Sequence, residues 1–443
     1  MARRSEVSEP HLFNYQSNLF ERICSLDELS LAFRTVKRNG GAPGVDGITI
    51  KEFEEGLNQR LLQLKKELES WTYQPKPVKQ VDIPKPDGNG TRRLGIPCIR
   101  DRIVQASVKA MLEPILDPLF SEHSYGFRPK RNQWQAIHAA QKYAQSGKEF
   151  IVDIDLEKFF DRVQHDRLIY RLNLQISDKR VLRLIGIILR SGIMKDGVVT
   201  TTDEGTVQGS PLSPLLSNVV LDELDKELEK RGLQFCRFAD DCNIFTGSEK
   251  AAKRVMESVS RFIEERLKLV VNRAKSKVAK SEFVKFLGIT IVAGTIAVST
   301  KSMARAMDKV RDLTPRGTTI SMEKTIEKVN SWYLGWANYY KVTQYPSQLR
   351  SIEAHVRRRL RSRIVAQQKR KRNLFARLLE RGVRRGKAAK TAFSNKGRWA
   401  LSHAQAVEQA YPNRWFADEL DLATALDEKQ PHWFALNRWI KLS

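Results

Sequence analysis

Three aspartates in this 443-residue chain are spaced so that one fold can bring them together. Asp155 closes Phe150-Ile-Val-Asp-Ile-Asp-Leu156, which alternates strictly: Phe150, Val152, Ile154 and Leu156 fall on one face of a strand, Ile151, Asp153 and Asp155 on the other. A strand with a buried apolar face would hold both carboxylates on its open face. Asp240 and Asp241 stand between Leu233-Gln-Phe-Cys-Arg-Phe238 and Cys242-Asn-Ile-Phe245, two strand signals that make a hairpin with acids at its tip. Like charges gather only around a cation, and an all-oxygen set suits Mg²⁺. Two such ions roughly 3.5–4 Å apart activate an attacking oxygen and neutralise a leaving phosphate in phosphoryl transfer. Read alone, an Asp-Asp pair is as readily an ordinary polar turn. Asp153, in its Asp-Ile-Asp context, would also suit a glycosyltransferase metal motif, a reading that explains no other part of the chain.

The elements that must position these acids are legible from periodicity. Residues 25–70 read as helical, with Phe53, Leu57, Leu61, Leu64 and Leu68 on one face, interrupted by the glycine-rich loop Asn39–Gly47. That loop lacks the Gly-Lys-Ser/Thr ending of a phosphate loop. Between Pro75 and Pro97 apolar residues alternate around Lys85-Pro-Asp-Gly88, a hairpin signal. Helices are expected over 101–120, beyond Asn132, and roughly over 166–191 and 213–231. From about Ser302 the pattern is almost wholly helical; Met322, Ile326, Val329, Trp332/Tyr333, Trp336 and Tyr339/Tyr340 mark an amphipathic helix whose aromatic face reads as core packing before base stacking. Glu204-Gly-Thr-Val-Gln-Gly-Ser-Pro-Leu-Ser-Pro214 is a glycine loop leading into a helix, where Gly205 and Gly209 permit close backbone approach.

Charge narrows the partner. With 77 Lys+Arg against 51 Asp+Glu the formal charge is +26, which favours a polyanion, most often nucleic acid, and argues against a neutral metabolic enzyme. The span Arg350–Arg398 holds 18 basic and 2 acidic residues, whereas residues 1–300 carry only 47 against 39. The four cysteines are scattered, without Cys-x-x-Cys pairs, which excludes a zinc ribbon or disulfide scaffold and suits a reducing interior. No run of 18 apolar residues occurs, so no membrane is expected as a partner.

Taken in order, Phe159-Phe-Asp161 after Asp155, Gln208-Gly-Ser-Pro-Leu-Ser-Pro214 and Phe238-Ala-Asp-Asp241 resemble a reverse transcriptase, most closely the bacterial group II intron-encoded reverse transcriptase/maturase in its endonuclease-lacking form. Gly41–Gly47, Arg92–Pro97 with Asp101-Arg102, and Ser124–Pro129 resemble that family's N-terminal motifs; Asn272–Ser276 and Lys285–Gly288 its later palm motifs; Trp332–Tyr340 its maturase thumb. The resemblance implies an α+β right-hand polymerase: N-terminal extension and fingers over 1–150, a palm with an antiparallel sheet over 151–298, a helical thumb or maturase domain over 299–375, and a small basic helical DNA-binding domain over 376–443.

Site roles follow from the same resemblance. Asp155, Asp240, Asp241 and the backbone carbonyl of Leu156 would hold two Mg²⁺ ions, with Mn²⁺ as a substitute. Lys275 would protonate the departing pyrophosphate. Lys85 and Arg92 would hold the dNTP triphosphate, Phe160 would exclude a ribose 2′-hydroxyl, and Gln208 would lie beside the incoming nucleotide or template. Arg357, Arg358, Arg361, Arg363, Lys369 and Arg372 are the expected nucleic-acid contacts, although the run from Arg357 to Arg363 cannot all face one way on a helix. The implied partners are intron RNA, an RNA template, a DNA primer or target, and dNTPs, in bacterial cytoplasm. Phe238 stands where the family has tyrosine and Val207 where it has proline; neither removes a carboxylate. His403 and His432 lie 29 positions apart and the last cysteine is Cys242, so no zinc-supported nuclease is expected. A reverse transcriptase recruited to DNA repair or phage defence, and a splicing cofactor with a vestigial polymerase domain, are the rival readings.

Overall fold

A computed structural model describes residues 18–84, 90–195, 197–200 and 203–424. The chain forms two compact units, Met1–Lys280 and Ser281–Ser443. The division between the units falls at 280/281, between the limits expected at 150/151 and 298/299. One apolar core runs from Leu19 to Val271 and a second from Ala306 to Leu422. The hairpin β9 (Ile289–Val292) and β10 (Thr295–Val298), expected in the palm, belongs to the second unit. Hydrogen bonds tie it there: Gln344 N–H donates to Ile296 O at 2.8 Å, and Val298 N–H donates to Gln348 Oε1 at 2.8 Å.

In the first unit the expected hairpin is β1 (Val78–Pro84) and β2 (Thr91–Ile96), paired antiparallel; its turn, with Lys85, lies outside the described residues. β4 (Ile193–Lys195) joins β1 in parallel and β5 (Val198–Thr200) completes a sheet of order β2-β1-β4-β5. The helix Ile99–Leu116 crosses the core, and its Asp101-Arg102 pair ties the surrounding loops. Asp101 accepts from Tyr73 Oη (2.8 Å) and Lys76 N–H (3.1 Å), while Arg102 donates to the carbonyls of Pro97 and Ala42. The helix expected over 166–191 is broken into His165–Asn173 and Lys179–Leu189, with Asp178 capping the second through Arg180 N–H at 3.0 Å.

The palm sheet has the order β6-β7-β3-β8, wholly antiparallel: β3 is Phe150–Ile154, β6 Gln234–Phe238, β7 Asp241–Thr246 and β8 Lys277–Lys280. Val152, Ile154, Phe235 and Ile244 enter the main core as the alternation predicts. The opposite face is not open as expected. Ile151 and Phe245 are buried there, and the Tyr143 ring lies 5.4 Å from that of Phe245. Asp153 is half-buried and accepts from the Asn243 amide at 2.9 Å; burial pushes its carboxyl above the ordinary range against the pull of Asn243 and Lys277. Asp155, at the end of this face, is likewise half-buried.

The second unit packs the helices Thr300–Leu313, Met322–Tyr340 and Pro346–Gln367 against shorter ones over 371–418. The aromatic face divides: Ile326, Val329 and Tyr333 are buried, whereas Trp332, Trp336, Tyr339 and Tyr340 are half-buried. The expected nucleic-acid contacts also divide, and two need correcting. Arg363 is 1% exposed and donates to Thr325 Oγ1 (2.6 Å) and to Ile320 O; Arg361 is 5% exposed and donates to Tyr411 O (2.8 Å) and Asn413 Oδ1 (2.8 Å). These guanidiniums have their forks turned onto the chain's own acceptors and present no face to a phosphate. Arg357 and Arg358 are half-buried; Lys369 and Arg372 are exposed. Arg363→Gln or Arg361→Gln should each cost the second unit roughly 1–3 kcal/mol by orphaning buried acceptors. A Lys369→Gln, Arg372→Gln double variant should melt with the parent. Thermal unfolding followed by circular dichroism reads both.

Candidate active site

The acids meet through strand register. β3 and β7 pair from Phe150↔Thr246 to Ile154↔Cys242, and one further step of that register sets Asp155 beside Asp241. Phe238 pairs with Asp241 across the two-residue turn Ala239-Asp240, so Asp240 projects from the same end of the sheet. Asp155 and Asp240 are half-buried and Asp241 is exposed.

Asp155 is pinned on its β8 side. Ser276 Oγ accepts from Asp155 N–H at 3.0 Å, and Asn272 N–H donates to Asp155 O at 2.8 Å. The bridge Leu156↔Val271 is flanked by that bond and by Glu157 N–H to Val270 O. Alternation therefore turns the Leu156 carbonyl away from this pairing, toward the β7 side where Asp240 and Asp241 stand. Lys275 Nζ lies 3.5 Å from Asp155 Oδ1, and its side chain is 62% exposed.

The turn bearing Asp240 is strained and braced. Ala239 has φ 58°, a left-handed conformation that favours glycine. Arg237, fully buried, holds it: Nε donates to Asp225 Oδ1 (2.7 Å), one terminal nitrogen to Asn218 Oδ1 (3.0 Å) and Ala239 O (2.9 Å), the other to Asp225 Oδ2 (2.5 Å) and Ser124 Oγ (2.8 Å). Burial works against the guanidinium's charge, but the Asp225 carboxylate outweighs it and keeps Arg237 above its ordinary range. Ser124-Tyr-Gly-Phe-Arg-Pro129 runs beside β6, with Tyr125 N–H donating to Arg237 O and Arg237 N–H to His123 O, each at 2.9 Å. A Cβ on Gly126 would stand 2.2 Å from Ala239 N, so only glycine fits there. Sequence reasoning matched this segment to a motif without a role and missed Arg237, Asp225 and Asn218. The one available signal was a charged residue inside an apolar strand.

The residues expected around the nucleotide are linked along the backbone. Thr206 N–H donates to Phe160 O at 2.6 Å, and Gly95 N–H donates to Gln208 O at 2.8 Å, on the strand that carries Arg92. Gly209, at φ 111°, has room for no Cβ, which would lie 2.8 Å from Gly95 O. Phe160 is half-buried, edge-on to Phe159 at 5.2 Å; Arg92 is exposed. His165 is buried and donates from Nε2 to Gly205 O at 2.6 Å. Val207 packs its methyl where a Cβ on Gly95 would fall.

Among the described residues no three His, Cys, Asp or Glu side chains already form a metal-holding group. Mg²⁺ is commonly held by one or two carboxylates with water and substrate phosphates, so the donor chemistry, and not a preformed cage, is what tests the fit. The donors here are all oxygen, so the residues fit.

A carboxylate-tipped antiparallel sheet beside a glycine-rich nucleotide loop defines a nucleotidyl-transferring polymerase. Residues 83–291 match the family Reverse transcriptase (RNA-dependent DNA polymerase), and residues 303–382 match Group II intron, maturase-specific domain. Protein YkfC of Escherichia coli (strain K12) is 32% identical over 300 residues, covering 59% of this chain and 78% of that protein. Group II intron-encoded protein LtrA of Lactococcus lactis subsp. cremoris is 32% identical over 54% of this chain and 39% of its own length; the Putative COX1/OXI3 intron 1 protein of Saccharomyces cerevisiae is 30% identical over 71% and 38%. The chain thus spans about two fifths of these two intron proteins. It belongs to the group II intron reverse transcriptases, with an RNA-directed DNA polymerase domain followed by a maturase domain. Reverse transcriptases as a family use divalent metal ions. No helix among the described residues is long and apolar enough to cross a membrane.

Gly126→Ala should displace the Ala239-Asp240 turn and lower primer extension at least tenfold with little change in RNA affinity. Extension and filter-binding assays on the same preparation check it.

Proposed function

We propose that the chain extends a DNA primer on an RNA template with dNTPs, and that it binds its group II intron RNA to promote splicing, in bacterial cytoplasm. The observation that carries the polymerase reading is the β3–β7 register, which sets Asp155 beside Asp241 with Asp240 in the adjoining turn. Asp155, Asp240, Asp241 and the Leu156 carbonyl would hold two Mg²⁺ ions, or Mn²⁺ in their place, which activate the primer 3′-hydroxyl and neutralise charge on the leaving pyrophosphate. The remaining work is positioning and electrostatics. Lys85 and Arg92 take the triphosphate oxygens. Phe160 presents its ring beneath the sugar, where a 2′-hydroxyl would collide with it. Gln208, fixed through its carbonyl to β2, orients the base or template. Lys275 gives a proton to the departing pyrophosphate; its ammonium nitrogen stands 3.5 Å from Asp155 Oδ1, beside the acids.

For intron RNA and a DNA target, Arg357, Arg358, Lys369 and Arg372 remain as phosphate contacts, Arg361 and Arg363 having structural partners instead. The rival of a vestigial polymerase loses support because the acids, Lys275 and the braced turn are all present.

Asp240→Ala should lower primer extension on RNA by more than about 10²-fold while RNA binding persists; near-parental extension by the folded variant would refute the assignment. Phe160→Val should raise ribonucleotide relative to deoxyribonucleotide incorporation, read by direct competition; an unchanged sugar preference would place the sugar elsewhere.

A further inference from the structure

The helix Pro346–Gln367 turns one face into a cavity of about 340 Å³ within the second unit. Ala354, His355, Arg358 and Arg361, at helical three- and four-residue spacing, line it from this side with Arg357; His403 and Glu408 line it from the short helices beyond. The volume is at the lower end of the roughly 300–1,000 Å³ of small-molecule sites.

Its chemistry is uneven in an informative way. Arg361 is already committed to Tyr411 O and Asn413 Oδ1, so it forms a fixed wall. The Arg358 guanidinium carbon stands 4.1 Å from the centre of the Trp399 ring, which holds the fork against an aromatic face. His355 meets the same ring edge-on at 5.9 Å. Each of these two residues keeps a buried nitrogen without a hydrogen-bond partner among the described residues, Nε of Arg358 and Nε2 of His355. Buried polar groups are nearly always paired, so two orphans on successive turns of one helix face mark a place that the described residues leave incomplete. Burial, helped by Arg359, Arg311 and Arg358, holds His355 below its ordinary range and so neutral. The one lining carboxylate among the described residues, Glu408, is engaged by His403 at 2.8 Å, and the three arginines leave the cavity positive.

A cationic, aromatic-backed cavity of this size matches one nucleotide: phosphate on the Arg357 and Arg358 side, base against a guanidinium plane, a mode that single-stranded RNA uses. We propose that the cavity receives a single nucleotide turned out of a bound RNA strand. The helix lies inside the segment that matches the maturase-specific domain, and the His403–Glu408 pair supplies an acceptor for a 2′-hydroxyl, which favours RNA over DNA. The inference rests on the RNA-binding reading above. It differs from diffuse phosphate contact by the exposed Lys369 and Arg372, because it is a shaped site.

The test fills the cavity without touching a charge. The full chain, an Ala354→Trp variant and a Lys369→Gln, Arg372→Gln variant are titrated with a mixed-sequence 20-nucleotide single-stranded RNA, and with DNA of the same sequence, across a salt series. Ala354→Trp should weaken RNA about tenfold at every salt concentration with an unchanged salt slope, and weaken DNA much less. The Lys369/Arg372 variant should lower the slope by roughly 0.7 per lost phosphate contact. Photo-crosslinking the unaltered chain to 4-thiouridine-substituted RNA, which needs no variant to fold, should yield adducts on the peptides bearing His355 or His403. Parental RNA affinity in a folded Ala354→Trp protein, equal loss for RNA and DNA, or crosslinks confined to other peptides would each overturn the proposal. An unaltered chain that binds no RNA would instead overturn the underlying reading.

Discussion

The buried pair Arg237–Asp225 is the constraint on which the palm depends. An ion pair wholly out of water gains little net stability, because desolvation offsets most of the attraction, yet removing one partner costs roughly 3–5 kcal/mol. What this pair provides is position. The planar fork of Arg237 reaches two oxygens of Asp225, the Asn218 amide, the Ser124 hydroxyl and the Ala239 carbonyl. A lysine has no such geometry. The helix Ser213–Lys230, the segment 123–129 and the β6–β7 turn are therefore registered to one group, and the turn holds Asp240 in a conformation that an alanine at 239 would not adopt unaided.

The same economy of backbone contact joins the fingers sheet to the palm. Gly95 and Gly209 let β2 and the 204–212 loop approach until main-chain atoms touch, so Gln208 is placed by its carbonyl. His165 and Thr206 sew the other flank of that loop to the turn carrying Phe160. The residues proposed for sugar, base and phosphate thus come from pieces far apart in sequence but fixed by a few main-chain bonds.

In the second unit charge serves two ends. Arg361, Arg363 and, through Thr314, Arg359 are internal ties that let short helices pack over a long one, while Lys369 and Arg372 stay in solvent. A count of basic residues could not separate these roles, since both kinds occupy the same run.

The chain's order of motifs determined the class, the antiparallel palm strands and the acids, because a period of two and a turn-forming Ala-Asp-Asp are local properties that survive in a one-dimensional reading. Aromatic positions at helical spacing likewise marked the face of the helix Met322–Tyr340 that packs inward, although only Tyr333 among its rings is fully buried. Tertiary structure decided what depends on partners distant in sequence. It covered the face of β3 expected to be open, moved the β9–β10 hairpin to the helical unit, withdrew Arg361 and Arg363 from the phosphate-binding set, and gave Arg237 its five-way role. In each case the deciding quantity is which acceptors and apolar surfaces lie within a few ångströms after folding, and sequence spacing does not encode that.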